Sequence, residues 1–204
     1  MTLGKFFKNV IADIRFDREM NRRVPSWKDY LRPLFVPQLC CLAIYRLSRL
    51  CYLKKHTIIA KILRNFNVVL FGIDIQPDAD ITGGCFIGHS LGVVVGPHAH
   101  IEKGCMIFQG VTITPGTHPG IELADEDRLV IGKRVKIYAG AKVLGNLTIG
   151  SDVTIGANAV VLDSVPSGET VMGIPAKPIK RKKALQPDQD LMGTIPSGKK
   201  ALGE

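Results

Sequence analysis

The sequence predicts a mainly β protein, a parallel β-solenoid preceded by a short helical N-terminal region, on three observations. Aliphatic residues recur every six positions, at Ile75, Ile81 and Ile87, then at Val95, Ile101, Ile107 and Ile113, then at Ile131, Ile137, Val143, Ile149, Ile155 and Val161. A helix has an apolar period of 3.6 and a half-buried strand alternates every second residue, so neither produces a period of six. The composition agrees: 6% aromatic residues, 21 Gly and 12 Pro in 204 residues describe an aliphatic core cut by frequent turns. The third observation is that residues 1–71 carry no such period and read as helix.

At this length one main domain is expected, with a small accessory piece. Residues 5–30 read as a helix with Phe6, Val10 and Ile14 on one face, ended by Pro25. Ser26 then caps a short successor containing Trp27 and Tyr30. The segment 39–70 (CCLAIYRLSRLCYL, then IIAKILRNFNVVLF) mixes aliphatics with Arg46, Arg49, Lys54, Lys55, Lys61 and Arg64. It reads either as a helical hairpin packed on the rest of the protein or as a basic amphipathic segment on a membrane surface. The longest apolar stretch, 34–45, is interrupted by Pro37 and Gln38 and falls short of the ~20 residues a membrane span needs. The N-terminus has the charge pattern of no secretory leader, and the five cysteines show no metal-ligand spacing, so a reducing, cytoplasmic setting is expected. A formal charge of +9 attracts polyanions, yet no aromatic platform or recognition helix accompanies it, and no nucleic-acid partner is expected. Residues 181–204 read as a basic C-terminal tail.

Within 72–180 each hexad supplies a strand of about four residues and a turn, and three hexads close one triangular coil. Stacked coils pair their backbones at about 4.8 Å and pile the aliphatics along the axis. Breaks in the period are where function is sought. The first separates Ile87 from Val95 by eight residues and holds GHSLG, with His89; the second separates Ile113 from Ile131 by eighteen and holds His118. Eighteen residues equal one full coil, so this loop is expected to leave and re-enter the stack without disturbing it. Asp74 precedes His89 by fifteen residues, close to one coil, so the two side chains are expected to meet at a corner. A carboxylate on one imidazole nitrogen leaves the other free to take a proton from an alcohol.

The hexads resemble those of hexapeptide-repeat acyltransferases, and that resemblance implies a left-handed β-helix; the general preference for right-handed crossovers predicts the opposite hand. The run GIDIQPDADITGGCFIGHSLGVVVG is similar to the active-site stretch of serine acetyltransferases, whose catalytic Asp and His fall on Asp74 and His89. The family's loop histidine, followed by proline, falls on His118. Resemblance continues through IYAGAKVLGNLTIGSDVTIGANAVVL, where the family's coenzyme A lies against small residues at the positions of Ala139 and Ala157, and ends at GIPAK (173–177), with Gly173 and with Lys177 near coenzyme phosphate. It implies acetyl-CoA as acetyl donor, no metal, backbone N–H groups that stabilise the oxyanion, and a homotrimer with active sites between subunits.

Two departures bear on the acceptor. Serine acetyltransferases carry Asp immediately before the catalytic His and Arg immediately before the loop His, where this chain has Gly88 and Thr117. They also have a longer helical region that adds another acidic residue to the substrate site. A zwitterion left without charge partners would bind poorly. The short basic, apolar N-terminal segment is similar in layout to exopolysaccharide acetyltransferases of the colanic acid type. The expectation is therefore an O-acetyltransferase acting on a saccharide hydroxyl in exopolysaccharide or cell-surface glycan synthesis, with residues 39–70 near the inner face of the membrane. Serine O-acetylation in cysteine biosynthesis is the alternative. His98 and His100 with His118 raise a zinc site like that of γ-class carbonic anhydrases, but the His-x4-His pair of those enzymes is absent.

Overall fold

The computed structural model describes residues 2–116 and 128–179; the expected tail and His118 lie outside them. Three parallel sheets form the faces of a prism. The first pairs Asp74–Ile75, Val94–Val95, Thr112–Thr114, Lys142–Leu144 and Val160–Val161 in that order, and the second pairs Asp80–Ile81, His100–Ile101, Val130–Ile131 and Thr148–Ile149. The third pairs Phe86–Ile87, Met106–Ile107, Lys136–Ile137, Thr154–Ile155 and Thr170–Met172, with Lys177–Pro178 added antiparallel at its end. The register stacks the six-spaced aliphatics on one another: Ile75 on Val95, Ile81 on Ile101, Ile87 on Ile107, and so on up each face. None of the thirteen is more than 2% exposed, so the period seen in the sequence is the core.

The two breaks shape the stack differently from their lengths alone. Asp74 pairs with Val94, twenty positions on, whereas Val95 pairs with Ile113 after eighteen, so the His89 turn adds two residues at the corner between the third and first faces. Ile113 pairs with Val143, thirty positions on. Ile113 and Ile131 thus lie on adjacent faces, and the expected re-entry after one whole coil is replaced by twelve residues inserted at the corner between these faces.

The N-terminal region docks on the first coils. Helix α1 spans Leu3–Met20, capped by the Thr2 side chain, and stops well before Pro25 because Arg22 takes a left-handed backbone (φ 50°). Ser26 and Asp29 form a capping box that opens a 3-10 helix, Trp27–Leu34. Helix α2, Pro37–Leu53, starts with Pro in its first turn, and α3, Thr57–Phe71, ends at Gly72 in the left-handed conformation that glycine adopts without cost. A three-residue turn joins α2 to α3, and the pair packs as a helical hairpin. The outer face of α3 leaves Ile58, Ile62, Phe66 and Val69 exposed. No single helix among the described residues is long and apolar enough to cross a membrane.

Buried polar groups fix this docking. Arg46 of α2, with 0% exposure, donates to Asp13 of α1 (3.1 and 3.2 Å) and to the carbonyls of Ile81 and Thr82. Asp13 also accepts from the backbone N–H of Gly84 and Cys85 (2.8 and 3.1 Å). One carboxylate thereby ties α1 to both α2 and the solenoid. All five cysteines are free thiols, and burial pushes Cys41 up to about 12 and Cys105 to about 11.

Candidate active site

One edge of the prism, where the third face turns into the first, carries most of the expected site residues. His89 occupies its first corner, Ala139 and Ala157 occupy later corners, and the Asn158 N–H donates to the Ala139 carbonyl (2.9 Å), which stacks the two alanine corners directly. Gly173 leaves the last strand of the third face at the same edge (φ 94°), and Lys177 follows, exposed, in the closing antiparallel pair. His89 to Ala157 is three coils, about 14 Å at the usual strand spacing. Ala139 and Ala157 present small side chains at two of its corners.

Asp74 lies beside the His89 corner through backbone pairing: its N–H donates to Val93 O (2.9 Å), and Gly92 N–H donates to Gly72 O (2.8 Å). Its carboxylate, however, accepts from Arg64 of α3 at Nε (2.5 Å) and Nη2 (2.6 Å), and no hydrogen bond joins it to His89. The carboxylate and the imidazole share a corner without the contact that their spacing predicts, because α3 brings a competing guanidinium there. His89 is exposed. His98 and His100 lie 3.5 and 3.7 Å from Asp78 and Asp80 of the coil before, and the described residues contain no group of three metal-ligating side chains.

Next to His89 is a cavity of about 410 Å³ that the sequence did not reveal. The solenoid lines it with Gly88, His89 and Phe108, and the N-terminal region lines it with Asp17, Arg32 and Gln38. Gln38 Nε2 donates to the Gly88 carbonyl (3.3 Å), tying α2 to the His89 turn. Asp17, 5% exposed, sits one helical turn after Asp13 on α1, so the anchor that docks α1 also delivers this carboxylate. Its Oδ1 accepts from Asn21 (3.1 Å), and its Oδ2 lies 2.9 Å from Arg32 Nη2. The short N-terminal region thus brings a carboxylate into the cavity beside His89. In the sequence Asp17 is one charge among many on the polar side of a helix, and only docking distinguishes it.

Fold and edge together define a hexapeptide-repeat acyltransferase, and the family model described as bacterial transferase hexapeptide (six repeats) matches residues 128–163. A relative from Helicobacter pylori, named serine acetyltransferase, is 39% identical over 156 residues, covering 74% of this chain and 85% of its own. The chain belongs to the serine acetyltransferase family. Among solved structures, the Neisseria gonorrhoeae serine acetyltransferase in complex with serine matches with a TM-score of 0.75 at 33% identity, over 87% of this chain and 70% of that one. A serine acetyltransferase in complex with CoA matches with a TM-score of 0.73 at 33% identity, over the same shares of each chain. These neighbours give the solenoid its hand: it is a left-handed β-helix. The chain spans between 58% and 85% of the length of the relatives so named.

These relatives overturn the expected kinship with exopolysaccharide acetyltransferases and, with it, the saccharide acceptor. The physical reason lies in the cavity. The saccharide expectation rested on charges missing at Gly88 and Thr117, whereas Asp17 and Arg32 bring one charge of each sign to the His89 corner.

Proposed function

We propose that this protein transfers the acetyl group of acetyl-CoA to the hydroxyl of serine, with His89 as general base. The observation that carries the reading is the cavity that joins His89 to a buried carboxylate and a guanidinium, a charge pattern that suits a zwitterion and gives a neutral sugar nothing in return for desolvating ions. Asp17 takes the ammonium of serine. His89 removes the hydroxyl proton as the oxygen attacks the thioester carbonyl; the tetrahedral adduct collapses, the C–S bond breaks, and His89 returns the proton to the departing thiolate. Asp74 is paired with Arg64 in the single chain, and it favours the imidazolium that forms once its carboxylate turns from α3 to His89. Acetyl-CoA lies along the edge over Ala139 and Ala157, with Lys177 for coenzyme phosphate, in a homotrimer whose sites fall between subunits; His118 belongs to the loop outside the described residues. Support for this donor site comes from the small side chains of Ala139 and Ala157 on one edge and from the CoA-bound neighbour.

The test is release of CoA from acetyl-CoA with and without serine. His89→Ala is expected to lower serine-dependent turnover by about 10²- to 10⁴-fold, the usual worth of a positioned base. Turnover equal to the wild type would remove His89 from the mechanism, and a wild-type protein that ignores serine would remove the acceptor.

A further inference from the structure

We infer that Arg32 is the residue that binds the acceptor's carboxylate, an assignment that rests on serine as acceptor. Serine presents a hydroxyl, an ammonium and a carboxylate; the base and Asp17 account for the first two. The family's arginine before the loop histidine is Thr117 in this chain, so a cation for the third must come from elsewhere. Two arginines line the cavity, Arg23 and Arg32. Arg23 is exposed, and water already satisfies an exposed guanidinium. Arg32 is different: its side chain is 12% exposed, and its Nε and Nη1 are buried with no hydrogen-bond partner among the described residues. Nη2 is engaged by proximity to Asp17 Oδ2, which itself lacks a partner with hydrogen-bond geometry among the described residues.

A buried ion pair normally spends all its donors and acceptors, because each one left unmade costs the desolvation of that group. Arg32 and Asp17 hold unspent valences of opposite sign in one cavity, beside the base. A zwitterionic amino acid supplies what both lack: its ammonium donates to Asp17 and its carboxylate accepts from the free N–H groups of Arg32. The 3-10 helix that carries Arg32 is held by the Ser26–Asp29 capping box, so the guanidinium is placed before the acceptor arrives.

Serinamide keeps the hydroxyl and ammonium of serine and replaces the carboxylate with a neutral amide, so the ratio of kcat/KM for serine to that for serinamide isolates the carboxylate contact. The wild type is expected to favour serine. Arg32→Gln is expected to lower kcat/KM for serine roughly 10- to 100-fold, as for lost hydrogen bonds to a charged group, and to lower that for serinamide by clearly less, so that the ratio falls. Arg32→Lys, which keeps the charge and loses two N–H donors, is expected to fall between. An equal loss for both acceptors would make Arg32 a structural residue and overturn the assignment. Should Arg32→Gln not fold, Arg32→Lys decides: an unchanged ratio overturns the assignment while serine acetylation stands. A wild type that releases no CoA with serine overturns both.

Discussion

Gly88 separates two accounts of the same substitution. Read as a lost charge, it invites restoring an aspartate to rebuild a serine site. The structure shows why glycine stands there: a Cβ at Gly88 would lie 2.6 Å from Phe108 Cδ1 and 2.8 Å from Cε1. The Phe108 ring is stacked on Tyr138 (centroids 5.4 Å apart, planes 7° apart) and cannot retreat without giving up that contact. Gly88→Ala is therefore expected to cost about 1–3 kcal/mol, the range for overpacking, in urea denaturation. Combining it with Phe108→Leu should recover part of that loss; an Ala variant as stable as the wild type would show that the ring yields freely. The aromatic pair occupies the space that any side chain at position 88 would need.

At the scale of elements, one side chain of α1 ties it to both α2 and the solenoid. Asp13 is 2% exposed, pairs with Arg46 and accepts from two solenoid N–H groups. Removing it leaves a fully buried guanidinium without its counter-ion, and breaking such a pair costs about 3–5 kcal/mol. Asp13→Ala is accordingly expected to lower the Tm and, where the protein remains folded, to raise the KM for serine more than it lowers kcat, because Asp17 moves with the helix while His89 stays on the solenoid. Unchanged KM would show that α1 reaches the cavity without this anchor. The Arg64–Asp74 pair works under other conditions: both side chains are about 30% exposed, so its worth to stability is about 0–1 kcal/mol. Its consequence is placement of the Asp74 carboxylate, turned towards α3 in the single chain.

For the whole molecule, the solenoid is close to one-dimensional: its coils pack on the coils above and below, and the N-terminal helices join the first of them. The edge with His89, Ala139 and Ala157 runs along that axis, so the spacing between these three is set by which coil each belongs to. The homotrimer proposed for the enzyme is checked by sedimentation equilibrium, where a mass three times the 22.3 kDa chain is expected; a monomer that is fully active would show that each site is complete within one chain.

The sequence by itself determined the solenoid, its core and its edge. Thirteen aliphatics six apart can be buried together only by coiling, and this local period needs no distant partner to be read. It also singled out His89, because a break in a regular pattern is itself local. What only the tertiary structure decided were the contacts between distant segments: Asp13 to Gly84 across 71 residues, Arg46 to Asp13 across 33, Arg64 to Asp74 across the end of a helix. These depend on how α1 and α2 dock, and a charged residue on a helix surface carries no mark of the element it will meet. For that reason Asp17 and Arg32 were illegible as neighbours of His89, and the saccharide acceptor inferred from missing charges was wrong: the part of the chain that has no repeat brings a charge of each sign to the cavity.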